Sequence, residues 1–178
     1  MCIRDSNNID YDSVGVRYKG NSTFCLPNDA SNQKVPYNID INYFVGGQKV
    51  MGYKKMKLAN AWMDPTFMKQ VISAKIYQEY LPTGESNLVK LFSQGNYVGM
   101  YVNDESINKQ FLDKHFDEKN GPLFKCDNID RFCDTAGAPS AMPPNLNFLG
   151  DDSTLYYNSY DMKSDHGWTE LVDLIRTI

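Results

Sequence analysis

The chain has 178 residues, 42% of them hydrophobic, enough for one sizeable core or for a domain with part of another. A formal net charge of −4 and a pI of about 5.1 argue against a nucleic-acid or anionic-membrane partner. No apolar run approaches the roughly 20 residues of a membrane span.

The first six residues, "MCIRDS", match one translated frame of a sequencing-library adapter and are expected to be extraneous to the protein. The first clear element is "VGVRYKGNST", Val14 to Thr23. Val14, Val16 and Tyr18 alternate with Gly15, Arg17 and Lys19, so a strand there carries two cations on one face and stops at a Gly20 turn. "CLPNDASNQ" reads as a polar loop, and "KVPYNIDINYF" as a strand with Tyr37, Ile39, Ile41 and Tyr43 on one face. "YKKMKLAN" returns as a further strand. The best helix is "MDPTFMKQVISAKIYQEYLP": Asp64 is a natural N-cap, Pro65 suits the first helical position, and Met68, Val71, Ile72 and Ile76 form an apolar stripe.

"NLVKLFSQGNYVGMYVNDE" predicts two strands joined by a tight turn at Gln94-Gly95-Asn96. "SINKQFLDKHF" predicts a helix with Ile107, Phe111 and Leu112 apolar. Residues 117–154 are rich in Asp, Asn, Pro and Gly and read as an irregular excursion. "DHGWTELVDLIRTI" closes the chain as an amphipathic helix with Trp168, Leu171, Val172 and Ile175 inward. "CDNIDRFC" leaves two readings open: a small disulfide loop between Cys126 and Cys133 in an exported protein, or two reduced thiols. Zinc does not suit this spacing, with His115 and His166 far off in sequence.

This order of elements, α+β, gives a twisted antiparallel sheet with one long helix, then the start of a helical region. Six stretches carry a resemblance: "VGVRYKGNST", "KVPYNIDINYF", "GYKKMKLANAWMDPTFMKQ", "YVGMYVNDESINKQFL", "GPLFKCD" and "YDMKSDHGWTELVDLI". In that order and spacing they resemble the spore coat protein H (CotH) family of atypical protein kinases over nearly all of residues 13–178. The resemblance implies a protein-kinase-like N-lobe over 7–104 and the beginning of a C-lobe over 105–178. It implies ATP with Mg²⁺ or Mn²⁺, phosphate transfer to Ser on a coat or surface protein, and a secreted or cell-surface location. A non-catalytic coat or adhesion protein of the same fold is the alternative.

The nucleotide-binding candidates are Arg17, Lys19, Lys34, Val102, Asn103 and Glu105. A polyphosphate needs fixed cations and backbone N–H groups, which Arg17 and Lys19 beside Gly20 would supply. Solvated surface cations are the competing reading. Lys34 opens its strand where the family often carries a cation, and Gln70 stands where many relatives have the helix Glu that holds it. Val102, Asn103 and Asp104 are expected to form a hinge whose backbone meets adenine. Glu105 matches the acidic residue of the family's G-x-Y-x-x-x-E pattern, here Gly99, Tyr101 and Glu105. No Walker loop, kinase Gly-rich loop, "HRD" or "DFG" is present, and the family's catalytic aspartates are expected downstream of Ile178. The chain is accordingly expected to be a fragment without them.

Overall fold

The computed structural model describes residues 2–20, 22–29, 32, 34–126 and 144–178. They divide into two compact units, Met1–Ser106 and Ile107–Ile178. In the first, β1 (Ile3–Arg4) and β2 (Asp10–Tyr11) form a small hairpin, closed by Arg4 on Asp10 at 2.6 and 2.8 Å. β3 (Gly15–Tyr18) follows, and then an eight-residue helix, α1 (Ser22–Asp29).

The part of the expected polar loop that falls within residues 22–29 is thus helical. Pro27 inside α1 has no N–H to offer the Thr23 carbonyl four residues back. Asn60 supplies the missing donor, its Nδ2 lying 2.9 Å from the Thr23 oxygen and 2.9 Å from that of Lys34. Burial of Cys25 and Pro27 completes the helix's hold on the unit. A side-chain amide from a distant part of the chain, together with tertiary packing, overrides a turn-rich composition.

β4 (Tyr37–Asp40) and β5 (Lys55–Ala59) come next, then α2 (Lys69–Tyr77). α2 begins at Lys69 and not at Pro65. The Asp64 carboxylate accepts from Thr66 Oγ1 at 2.6 Å and from the Thr66 N–H at 3.1 Å, which folds 64–67 into a turn. Its other oxygen still accepts from the Lys69 N–H at 3.0 Å, so Asp64 caps the helix across that turn. Val71 is the buried residue of α2, while Ile72 and Ile76 of the expected stripe are about half exposed, at 48% and 53%.

β6 (Ser86–Ser93) and β7 (Asn96–Asp104) form the expected hairpin, turning at Gln94–Gly95, both with positive φ. The five strands make one antiparallel sheet in the order β3-β4-β5-β7-β6. Register sorts its faces. Val16, Ile39, Leu58 and Tyr101 share one face, where Ile39, Leu58 and Tyr101 pack with Tyr11, Val14, Ile41 and Val50 as the core.

The second unit holds α3 (Lys109–Phe116), β8 (Phe124–Cys126), a 3₁₀ turn at Ser153–Tyr156, β9 (Tyr160–Met162) and α4 (Trp168–Thr177). Asn108 caps α3 by accepting from the Gln110 and Phe111 N–H groups at 2.8 and 3.2 Å. β8 and β9 pair antiparallel beside a core of Tyr156, Tyr160, Leu171, Val172 and Ile175. Two tyrosine hydroxyls order the irregular segment, accepting from the Leu149 and Leu146 N–H groups at 2.9 Å each. Among the described residues no helix is long and apolar enough to cross a membrane.

Cys126 is an exposed free thiol on β8, whereas Cys25 is buried and disulfide-bonded. The Cys126–Cys133 pairing is therefore corrected, because the β8–β9 ladder holds Cys126 opposite Tyr160 with its sulfur free. Cys133 lies outside the described residues, as does Asn21.

Candidate functional site

The face of the sheet opposite the core carries polar residues in register. Arg17 pairs with Asn38, Asn38 with Lys57, Lys57 with Asp104, and Asp104 with Ser86. Side chains of directly opposed residues point to the same face with Cβ atoms about 5 Å apart. One row thus crosses all five strands, carrying two cations, one carboxylate, an amide and a hydroxyl. Lys19 belongs to the same face two residues beyond Arg17, and its backbone N–H bonds the Pro36 carbonyl at 3.1 Å.

Asp104 is the best-held member. Ser86 Oγ donates to its Oδ1 at 2.9 Å, and Gln70 Nε2, reaching in from α2, donates to its Oδ2 at 2.6 Å. Burial raises its pKa above the ordinary 3.8, against the opposing pull of those hydrogen bonds and of the Lys19 and Lys57 charges. Lys19 shows the reverse: burial lowers its pKa from 10.5, and the attraction of Asp104 opposes the shift. With the Asn38 amide turned oxygen-first, Arg17 Nη2 and Nε lie 3.0 and 3.3 Å from it, which fixes the guanidinium along the row. In the neighbouring row Lys55 meets Asp40 at 3.2 Å.

Lys34 lies elsewhere. Its ammonium sits 4.0 Å from the centre of the Phe67 ring and 5.3 Å from that of Tyr101. Register sends the Tyr101 side chain to the face opposite Asp104. Burial lowers the Lys34 pKa from 10.5. Gly99 makes room for this arrangement, since a Cβ there would stand 3.1 Å from Lys34 Cε.

A profile of the family described as CotH kinase protein matches residues 16–178, nine-tenths of the sequence. The chain belongs to the CotH kinase protein family. No match to a curated protein was found.

Within this CotH-family chain the structure brings Arg17 and Lys19 together with Lys57 and Asp104. It separates Lys34 from them. The hinge expectation for Val102 and Asn103 is corrected: β7 runs on through Asp104, paired with β5 on one side and β6 on the other. A strand flanked on both sides spends its backbone groups on the ladder, leaving none for a base. Val102 is fully buried, and Asn103 points its amide at Asn87, 3.3 Å away. Glu105 ties the sheet's end: its N–H donates to the Glu85 carbonyl at 2.8 Å, and its Oε2 accepts the Glu85 N–H at 3.0 Å.

The sequence reading missed Lys57 and Ser86 as site residues and took Asp104 for a hinge position, with no role for its carboxylate. Three lysines fall within "YKKMKL", and the β5–β7 register alone selects Lys57 as the one facing Asp104. The signal that was available is parity: counted from the apolar Leu58, Lys57 falls on the opposite face of the strand.

Proposed function

We propose that this chain carries the phosphate-binding face of a CotH-type protein kinase, which binds ATP with Mg²⁺ or Mn²⁺ and phosphorylates Ser on a coat or surface protein. The carrying observation is the row itself. Arg17, Lys19 and Lys57 place three cations on one sheet face, two of them half-buried, in a chain whose overall charge is negative. Phosphoryl transfer relies on positioning and on charge stabilisation, and fixed, partly desolvated cations supply both.

The donor set fits a triphosphate: two ammonium groups offer point charges and a guanidinium offers a forked pair of donors. It fits a resident metal less well. Both Asp104 oxygens are engaged, and no group of three or more His, Cys, Asp or Glu is gathered among the described residues. In this reading the ion enters with the nucleotide, where it neutralises phosphate charge. Lys19 and Lys57 orient the phosphates, and Gln70 with Ser86 holds Asp104 beside them. A secreted or cell-surface location and a protein acceptor belong to the same proposal, supported by membership of the family.

Thermal shift with ATP and Mn²⁺ tests it. The reading expects a metal-dependent rise in Tm that is lost in Lys57→Met and in Lys19→Met and kept in Lys34→Met. A flat response from the well-folded protein would favour the non-catalytic coat or adhesion role.

A further inference from the structure

We infer that Asp104 is a built-in counter-anion, which weakens binding of bare polyphosphate to the cationic row more than binding of the same polyphosphate carrying Mg²⁺. The inference rests on the reading of the row as a phosphate receptor. Asp104 lies directly across from Lys57 in the β5–β7 pair, with Lys19 acting on the same carboxylate. It cannot swing aside, because β6 holds one oxygen through Ser86 at 2.9 Å and α2 holds the other through Gln70 at 2.6 Å. Being half-buried, it is screened far less than a surface carboxylate.

A receptor built only to gather negative charge would carry Asn or Ser at this place. Asn at 104 would still accept from Ser86, and turning the Gln70 amide would keep the second contact. The charge therefore does something that hydrogen bonding does not require. Repulsion from one fixed anion grows in proportion to the charge of the approaching ligand. Bare tripolyphosphate carries more negative charge than its magnesium complex and suffers more from Asp104. The carboxylate thus shifts the preference of the face toward the metal-bearing form of a nucleoside triphosphate, and its partners in the sheet and helix keep it in place to do so.

Calorimetric titration of sodium tripolyphosphate, with and without Mg²⁺, tests this on the full chain. Asp104→Asn is expected to tighten binding of the bare anion by roughly tenfold and of the magnesium complex by a clearly smaller factor. Equal tightening of both forms, no change, or weaker binding of the bare anion would overturn the inference. Gln70→Glu adds a negative charge at the same spot and is expected to weaken the bare anion more than the complex. If Asp104→Asn fails to fold by circular dichroism, that variant decides, and an equal or opposite effect overturns the inference. Should the wild-type chain bind neither form, the phosphate reading of the row fails and takes this inference with it. Binding by the wild type with an unmoved ratio in both variants removes the role of Asp104 alone.

Discussion

Tyr101 is fully buried, and its hydroxyl donates to the Val35 carbonyl at 3.1 Å, tying the centre of β7 to the segment that leads into β4. Burial pushes its pKa well above the usual phenol range, so the hydroxyl stays a donor at every physiological pH. Tyr101→Phe keeps the ring but orphans that carbonyl, and is expected to cost about 1–3 kcal/mol, read from the urea midpoint. Asp104 makes a prediction with a sign. Its folded pKa is raised above the unfolded value of 3.8, so the folded state holds its proton more tightly. Between those two values stability falls as pH rises, and Asp104→Asn should remove that slope from a urea series across acid pH. The same substitution takes away the attraction that holds the Lys19 pKa up against burial. Lys19, followed by NMR of its Cε resonance, should titrate below 10.5 in the native chain and lower still in the variant; an upward move would contradict the coupling.

At the scale of elements, the strands were legible because alternation is a local signal. Alternation over Val14–Tyr18 and over Tyr37–Tyr43 shows two faces without any knowledge of neighbours. The strands formed are Gly15–Tyr18 and Tyr37–Asp40, and Tyr43, beyond the end of its strand, is exposed. The helices were legible where their caps are local. Asn108 begins α3 by direct capping, and α4 buries Leu171, Val172 and Ile175 as its periodicity predicts. α1 was not legible, because its Pro27 needs a donor that lies 37 residues away at Asn60. Asn60→Ala removes one amide from two carbonyls and is expected to cost about 1–2 kcal/mol, with loss of helical signal from α1 in hydrogen exchange. α2 shows the limit of helical periodicity: the stripe Met68, Val71, Ile72, Ile76 is real in the sequence, yet only Val71 is buried. Val71→Ala should cost about 2 kcal/mol and Ile72→Ala under about 0.5 kcal/mol, a contrast that chemical denaturation resolves.

At the scale of the whole molecule, a chain of net charge −4 brings Arg17, Lys19 and Lys57 to one face of a five-stranded sheet. The assembly depends on pairings that no single segment contains. Arg17 and Lys19 were legible as co-facial from their own strand. Their partners were not, since Lys57 and Asp104 join them only through register across β4, β5 and β7. Asp104 also read as part of a hinge, whereas it is the last residue of β7 and is paired with a strand on each side. Family membership over residues 16–178 covers the whole of this sheet except Gly15. What the face binds is tested most directly by an NMR titration of the ¹⁵N-labelled chain with ATP and Mg²⁺. The account predicts that the largest amide shifts fall at Arg17, Lys19, Lys57, Ser86 and Asp104, and that Lys57→Met abolishes them. Shifts centred on Lys34, Phe67 and Gly99, or none at saturating nucleotide, would contradict it.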